Sequence, residues 1–128
     1  MKVSVLGSGQ WGSTLAQVLL DAGNEVILWG RNKVVVDEIN TKHRNSSALL
    51  EHPLPSQLSA TCQIERALDG AELIVLAIPS QSLRENLLRW QGLISSDIAV
   101  VSAIKGIEIS TQLRMSEVIS QVLALDSS

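Results

Sequence analysis

Few residues in this sequence have types and spacings that could do chemistry, and they gather at three places. Glycines at 7, 9 and 12 fall in Gly7-Ser8-Gly9-Gln10-Trp11-Gly12; Arg31 and Asn32 follow the run Glu25 to Trp29; Lys105 follows the run Ile98 to Ile104. Glycines so spaced, between a strand ending at Leu6 and a helix beginning near Gln10, suit a backbone that must approach an anion. Gly7 allows the tight turn out of the strand, Gly9 lets the chain come close to a pyrophosphate, and Gly12 lets the helix pack on the sheet. The helix start adds free N–H groups and about half a positive charge. The chemistry predicted is the gripping of a dinucleotide. Trp11 is not required by such a turn. Its indole either caps the sheet edge or lies over the pyrophosphate and nicotinamide side, where it excludes water.

The end of the second strand bears on which dinucleotide. An Asp or Glu there would bind ribose hydroxyls and favour NAD, whereas this chain has Trp29-Gly30-Arg31-Asn32. The Arg31 guanidinium can meet a 2′-phosphate, and no carboxylate stands by to repel it. Arg31, with Asn32 beside it, therefore points to NADP(H) as the preferred carrier, with NAD(H) still possible. Lys105 follows an apolar strand at its carboxyl end, the side where such sheets hold ligands. Hydride reduction builds negative charge on a carbonyl oxygen, and a fixed cation there lowers the barrier. Lys105 is thus a candidate to hold a phosphorylated or carbonyl substrate.

The elements that must position these groups alternate. Strands are predicted at Val3 to Leu6, Glu25 to Trp29, Ala60 to Gln63, Leu73 to Ile78 and Ile98 to Ile104. Helices are predicted from Gln10 to Ala22, stopped by Gly23 as the residue past the cap, and from Val34 to about Lys42. A small helix closes at Gly70, another is capped by Ser80 and holds Leu83, Leu87 and Leu88, and the last carries the stripe Met115, Val118, Ile119, Val122 and Leu123. A polar loop runs from Asn45 to Ser59. Strands apolar on both faces, alternating with helices, predict an α/β fold with a doubly wound parallel sheet of Rossmann type, order 3-2-1-4-5. In that order Ile98 to Ile104 is an uncovered edge, which predicts self-association.

The 128 residues predict one dinucleotide-binding domain, spanning 1–128, as the front portion of a longer enzyme. With 45% hydrophobic and 18% charged residues, disorder is excluded. A net charge of −3 and the absence of Phe and Tyr leave no footprint for nucleic acid. No apolar run approaches the ~20 residues of a membrane span, and the lone Cys62 fits a reducing compartment; the expectation is a cytoplasmic protein. In that setting the acceptor pattern Asn45-Ser46-Ser47 is chance. Rival constellations fail. Ser102-Ala103-Ile104-Lys105 matches the S-x-x-K of acylating enzymes but lies in a strand, without the companion S-D-N and K-T-G elements. Cys62 has no support as a nucleophile with His43 or His52, the two histidines lack metal-ligand spacing, and Asp37 and Glu38 face different directions on a helix.

Four stretches, "VLGSGQWGSTLAQVL", "VILWGR", "AIPSQSLRENL" and "SAIKGIE", occur in this order and closely resemble the N-terminal domain of bacterial glycerol-3-phosphate dehydrogenase. The resemblance covers nearly the whole chain apart from the loop Asn45 to Ser59. It implies reduction of dihydroxyacetone phosphate to sn-glycerol 3-phosphate with NAD(P)H, for phospholipid synthesis, by a two-domain enzyme expected to be a homodimer. It places Gln10 and Trp11 in the phosphate loop, Arg31 at the 2′-phosphate, Pro79 beside the cofactor cleft, and Lys105 against both cofactor and substrate. No catalytic residue is assigned here, since the resemblance puts the family's proton-donating lysine beyond Ser128, so these residues alone should be inactive. Gln10 stands where the family usually has Ser, and Ala48-Leu49-Leu50-Glu51 stands where it has an aromatic followed by Leu-Pro-Gly. Alternatives are a non-catalytic nucleotide-sensing domain, which would carry an acid after the second strand and not need Lys105, and a dehydrogenase of a 3-hydroxy acid or nucleotide sugar, against which the Pro-Ser-Gln and Lys-Gly pair argues. A methyltransferase fits less well, because its cofactor has no pyrophosphate.

Overall fold

A computed structural model describes residues 1–48, 52–95, 97–104 and 111–123. Lys105 and the stretch Leu49 to Glu51 lie outside the described residues. Five parallel strands form one sheet, β1 (Lys2–Leu6), β2 (Glu25–Trp29), β3 (Ser59–Thr61), β4 (Leu73–Leu76) and β5 (Ala99–Ser102), in the order β3-β2-β1-β4-β5. The Rossmann-type order predicted from sequence is the one observed. Register pairs Leu6 with Trp29 on one side and with Leu76 on the other, so three strand ends stand level.

Alternation within the strands builds a core on each face. Val3, Val5, Val26, Leu28 and Val75 point one way, under α1 (Gln10–Asp21) and α2 (Lys33–Lys42), where Ala16, Val35, Val36 and Ile39 meet them. Leu6, Trp29, Ile74 and Leu76 point the other way, towards α3 (Ile64–Leu68), α4 (Leu83–Trp90) and α5 (Met115–Leu123). Trp29 and Trp90 close that layer edge to face, ring centres 4.9 Å apart. Ser4, the one polar inward side chain of β1, donates its hydroxyl proton to the Ala67 carbonyl, which satisfies both groups in the core.

The caps follow local chemistry. Gly23, at φ 94°, ends α1: its N–H reaches the Leu20 carbonyl while that of Asn24 reaches Leu19, a Schellman pair. Asn32 begins α2 by accepting the Val34 N–H at 2.9 Å.

Four expectations are corrected. Ser80 does not cap a helix: Ser80–Ser82 is a 3₁₀ turn, and the Ser80 hydroxyl accepts from Gln81 instead. Leu88 is 51% exposed, because five residues past Leu83 is about 140° round the helix from the stripe of Leu83, Leu87 and Trp90. β4 ends at Leu76 rather than Ile78, since its partner β1 ends opposite it at Leu6, where Gly7 turns the chain away at φ 135°. β3 and β5 are shorter than predicted, and β5 is covered on one face only, leaving Val101 half exposed.

Candidate functional site

The site lies where the strand order reverses, at the carboxyl ends of β1 and β4. Sequence neighbours leave β1 to one side for β2 and β3, while β4 and β5 lie on the other, and the crevice between is where such sheets hold ligands. A cleft of about 520 Å³ opens there, floored by Gly7 to Gly12 and walled by Trp29, Arg31, Asn32, Ala77 to Pro79, Ser82, Asn86, Ala103 and Ile104.

Each loop glycine has its own reason. Gly7 sits at φ 135°, and a Cβ there would come within 2.4 Å of the Ala77 carbonyl oxygen. At Gly12 a Cβ would stand 2.0 Å from the Gly7 carbonyl oxygen, so α1 can cross the loop this closely only without a side chain. Gly9 is different: a Cβ would meet nothing within 4 Å, because this residue faces the open cleft. The first backbone bond of α1 runs from Ser13 N–H to the Gly9 carbonyl at 3.0 Å. Among the described residues, the N–H groups of Gly9, Gln10, Trp11 and Gly12 have no partner. Four free donors, a helix start and an empty bed form a cradle that a pyrophosphate fits.

Trp11 bridges the glycine turn and the sheet edge. Its indole N–H donates to the Ala103 carbonyl at 3.0 Å, tying the glycine turn to the chain just past edge strand β5. The ring is still 54% exposed and lines the cleft. At the far lip, Arg31 is exposed and makes no ion pair or hydrogen bond among the described residues. The first turn of α2 carries no acid, and Asp37, one turn on, is engaged by Lys33 at 2.9 Å. Among the described residues that line the cleft, no carboxylate stands beside the Arg31 guanidinium. The Asn32 side-chain oxygen is committed to its cap, which leaves the amide protons for the cleft.

The cleft thus gathers Gly7, Gly9, Gln10, Trp11, Gly12, Arg31, Asn32 and Pro79; Lys105, the other candidate, lies outside the described residues. Sequence reading missed Ser82 and Asn86, one helical turn apart on the wall, the spacing that would have signalled a shared face. It also missed Gly30, where a Cβ would collide with Ser8 Oγ at 2.5 Å, and Asn45, buried beneath the loop. Burial and the bonds it makes leave the Asn45 amide unavailable to a glycan, in line with a chance acceptor pattern. Among the described residues no cluster of three metal-ligating side chains occurs, and no helix is long and apolar enough to cross a membrane.

Comparison with known proteins agrees with this geometry. The family model described as NAD-dependent glycerol-3-phosphate dehydrogenase N-terminus matches residues 2–127. Glycerol-3-phosphate dehydrogenase [NAD(P)+] of Corynebacterium jeikeium is 49% identical over 127 residues, 99% of this chain and 38% of that protein. The crystal structure of glycerol-3-phosphate dehydrogenase from Coxiella burnetii superposes with a TM-score of 0.87 at 31% identity, covering 95% of this chain and 37% of that one. The Plasmodium falciparum glycerol-3-phosphate dehydrogenase gives 0.88 at 31% identity, covering 98% and 38%. The chain spans under two fifths of the length of these relatives. With a family model matching nearly end to end over a glycine cradle at the sheet's switch point, this chain belongs to the NAD-dependent glycerol-3-phosphate dehydrogenase N-terminal family.

Proposed function

We propose that residues 1–128 form the dinucleotide-binding domain of a longer, homodimeric cytoplasmic enzyme. That enzyme reduces dihydroxyacetone phosphate to sn-glycerol 3-phosphate for glycerophospholipid synthesis, with NADPH preferred over NADH. The observation that carries this reading is the row of N–H groups from Gly9 to Gly12, unpartnered among the described residues, at the carboxyl end of β1 in a chain of this family. Those groups, with Gln10 and Trp11 among them, hold the pyrophosphate on the bed that Gly7 and Gly12 make possible. Arg31 holds the 2′-phosphate, the Asn32 amide reaches the adenosine side, and Pro79 walls the nicotinamide side. When bound, the nicotinamide supplies the hydride that the substrate's ketone carbon accepts. Lys105 orients the phosphorylated substrate and offsets charge on its carbonyl oxygen, while the proton for that oxygen comes from a donor outside these residues.

Calorimetry on this chain with NADPH and NADH tests the carrier, and the full-length enzyme tests the reaction. Lys105→Ala is expected to keep NADPH affinity and to abolish turnover of dihydroxyacetone phosphate. A well-folded chain that gives no binding heat with either carrier at millimolar concentration removes the reading; normal turnover removes Lys105 from the site.

A further inference from the structure

The glycines that let a ligand approach the loop also make it soft. The Ser8–Gly9 peptide turns about Ser8 ψ and Gly9 φ, and Gly9, with no Cβ, puts little steric resistance on its side of that turn. Its direction matters, because in a planar trans peptide the carbonyl and the following N–H point opposite ways. One orientation offers the Gly9 N–H to the cleft; the other offers the Ser8 carbonyl oxygen, which repels an anion.

Two side chains hold one orientation: Ser13 Oγ donates to the Ser8 carbonyl at 3.4 Å, and Asn45 makes the much shorter bond. Asn45 is 2% exposed, and its Nδ2 donates to the Ser8 carbonyl at 2.6 Å and to Ser13 Oγ at 3.0 Å. Its Oδ1 accepts from Ser47 Oγ at 3.0 Å, so both ends of the amide are committed. The corner carrying Asn45 is itself held. Glu38 of α2 accepts the Ser46 N–H at 2.7 Å and its hydroxyl at 2.5 Å, and the His43 carbonyl accepts the Leu54 N–H at 2.6 Å. Asn45 thus comes to the loop on a braced support, from 37 residues away in sequence.

We propose that Asn45 is a positioning residue for dinucleotide binding: by holding the Ser8 carbonyl on the core side of the loop, it aims the Gly9 N–H into the cleft, at the pyrophosphate. The inference rests on the reading of the cleft as a pyrophosphate site, and it predicts a ligand-selective defect. Asn45→Ala removes the donor; Asn45→Asp keeps the shape but sets a carboxylate against the Ser8 oxygen.

Calorimetry with three probes separates the outcomes: NADPH and ADP-ribose, which carry a pyrophosphate, and adenosine 2′-monophosphate, which does not. Wild type is expected to bind all three. Variants whose circular dichroism shows a folded chain are expected to lose about tenfold in affinity for NADPH and ADP-ribose, the Asp variant more, with the monophosphate unchanged. Unaltered NADPH affinity in a folded variant overturns the inference, as does an equal loss for the monophosphate, which signals a general disturbance. Wild type that binds no NADPH overturns the functional reading and this inference with it; wild type that binds while the variants match it overturns this inference alone. A measurement on wild type stands even if both variants unfold. The Asn45 Nδ2 protons are expected to exchange slowly with solvent while the Gly9 amide resonance moves on adding NADPH. Exchange at the rate of a free side-chain amide overturns the proposal.

Discussion

Two alanine substitutions three residues apart should separate fold from binding. A methyl at Gly12 would stand 2.0 Å from the Gly7 carbonyl oxygen, and both sides of that contact are backbone, with no flexible tip to yield. Opening it to 3.0 Å means shifting the first turn of α1, or the Gly7 peptide whose N–H is bound to the Trp29 carbonyl at 2.8 Å. Overpacking of that kind costs up to about 3 kcal/mol, and replacing a helical glycine returns about 1 kcal/mol. The balance is near 2 kcal/mol, or a fall in melting temperature of about 8 °C for a chain this size. Gly9 has an ordinary φ of −73° and nothing within 4 Å of a would-be Cβ. There the reduced freedom of the unfolded chain gains about 0.4–1 kcal/mol, and the poorer helix cap costs about as much. Its melting temperature should stay within about 4 °C of wild type. Yet the same methyl occupies the bed of the cleft; losing one charge-assisted bond of about 1.5–3 kcal/mol weakens NADPH binding ten- to a hundredfold. Calorimetric melts and NADPH titrations of both variants supply the test. A Gly9→Ala protein that binds as wild type places the ligand elsewhere, and a Gly12→Ala protein that melts as wild type refutes the close crossing.

Two further outcomes follow from the rim and the brace. Arg31→Ala should reduce the ratio of NADPH to NADH affinity by about ten- to a hundredfold, the worth of one charged hydrogen bond; titrations that return the wild-type ratio take the guanidinium out of carrier choice. Glu38 is held below its ordinary 4.5, first by the Ser46 hydroxyl and then by the Ser46 N–H. A carboxylate so held stabilises the fold above its ordinary value, and that contribution fades as pH falls through the depressed one. Glu38→Gln should therefore melt below wild type at neutral pH, with the difference closing well below pH 4.5. Melts across that range that keep a constant gap would place the effect of Glu38 outside its ionisation.

What could be read from the sequence, and what could not, divides along a physical line. β4 was legible because four consecutive apolar residues, Leu73 to Leu76, are buried on both faces only inside a covered parallel sheet. The loop was legible because its glycine spacing falls within one strand-turn-helix unit, where Gly12 answers to the Gly7 carbonyl, although the Ala77 carbonyl that excludes a side chain at Gly7 comes from the end of β4. Leu88, Ser80 and the end of β4 were misjudged where residue type suggested a role that helix phase, a 3₁₀ turn or the end of the partner strand then denied. Asn45 and Gly30 gave no signal, because each acts on Ser8 across the fold and neither breaks a period. Asn45 could have been suspected only as a polar residue following the left-handed turn at His43, φ 55°, where a loop is being aimed rather than merely crossed. This blind spot belongs to the chemistry. A site built from side chains announces itself by their types, whereas a site built from backbone N–H groups depends on which way its peptides face. Here the shorter bond to the Ser8 carbonyl comes from Asn45, 37 residues away, so on the proposal above a residue that aims the cradle lies far outside its motif.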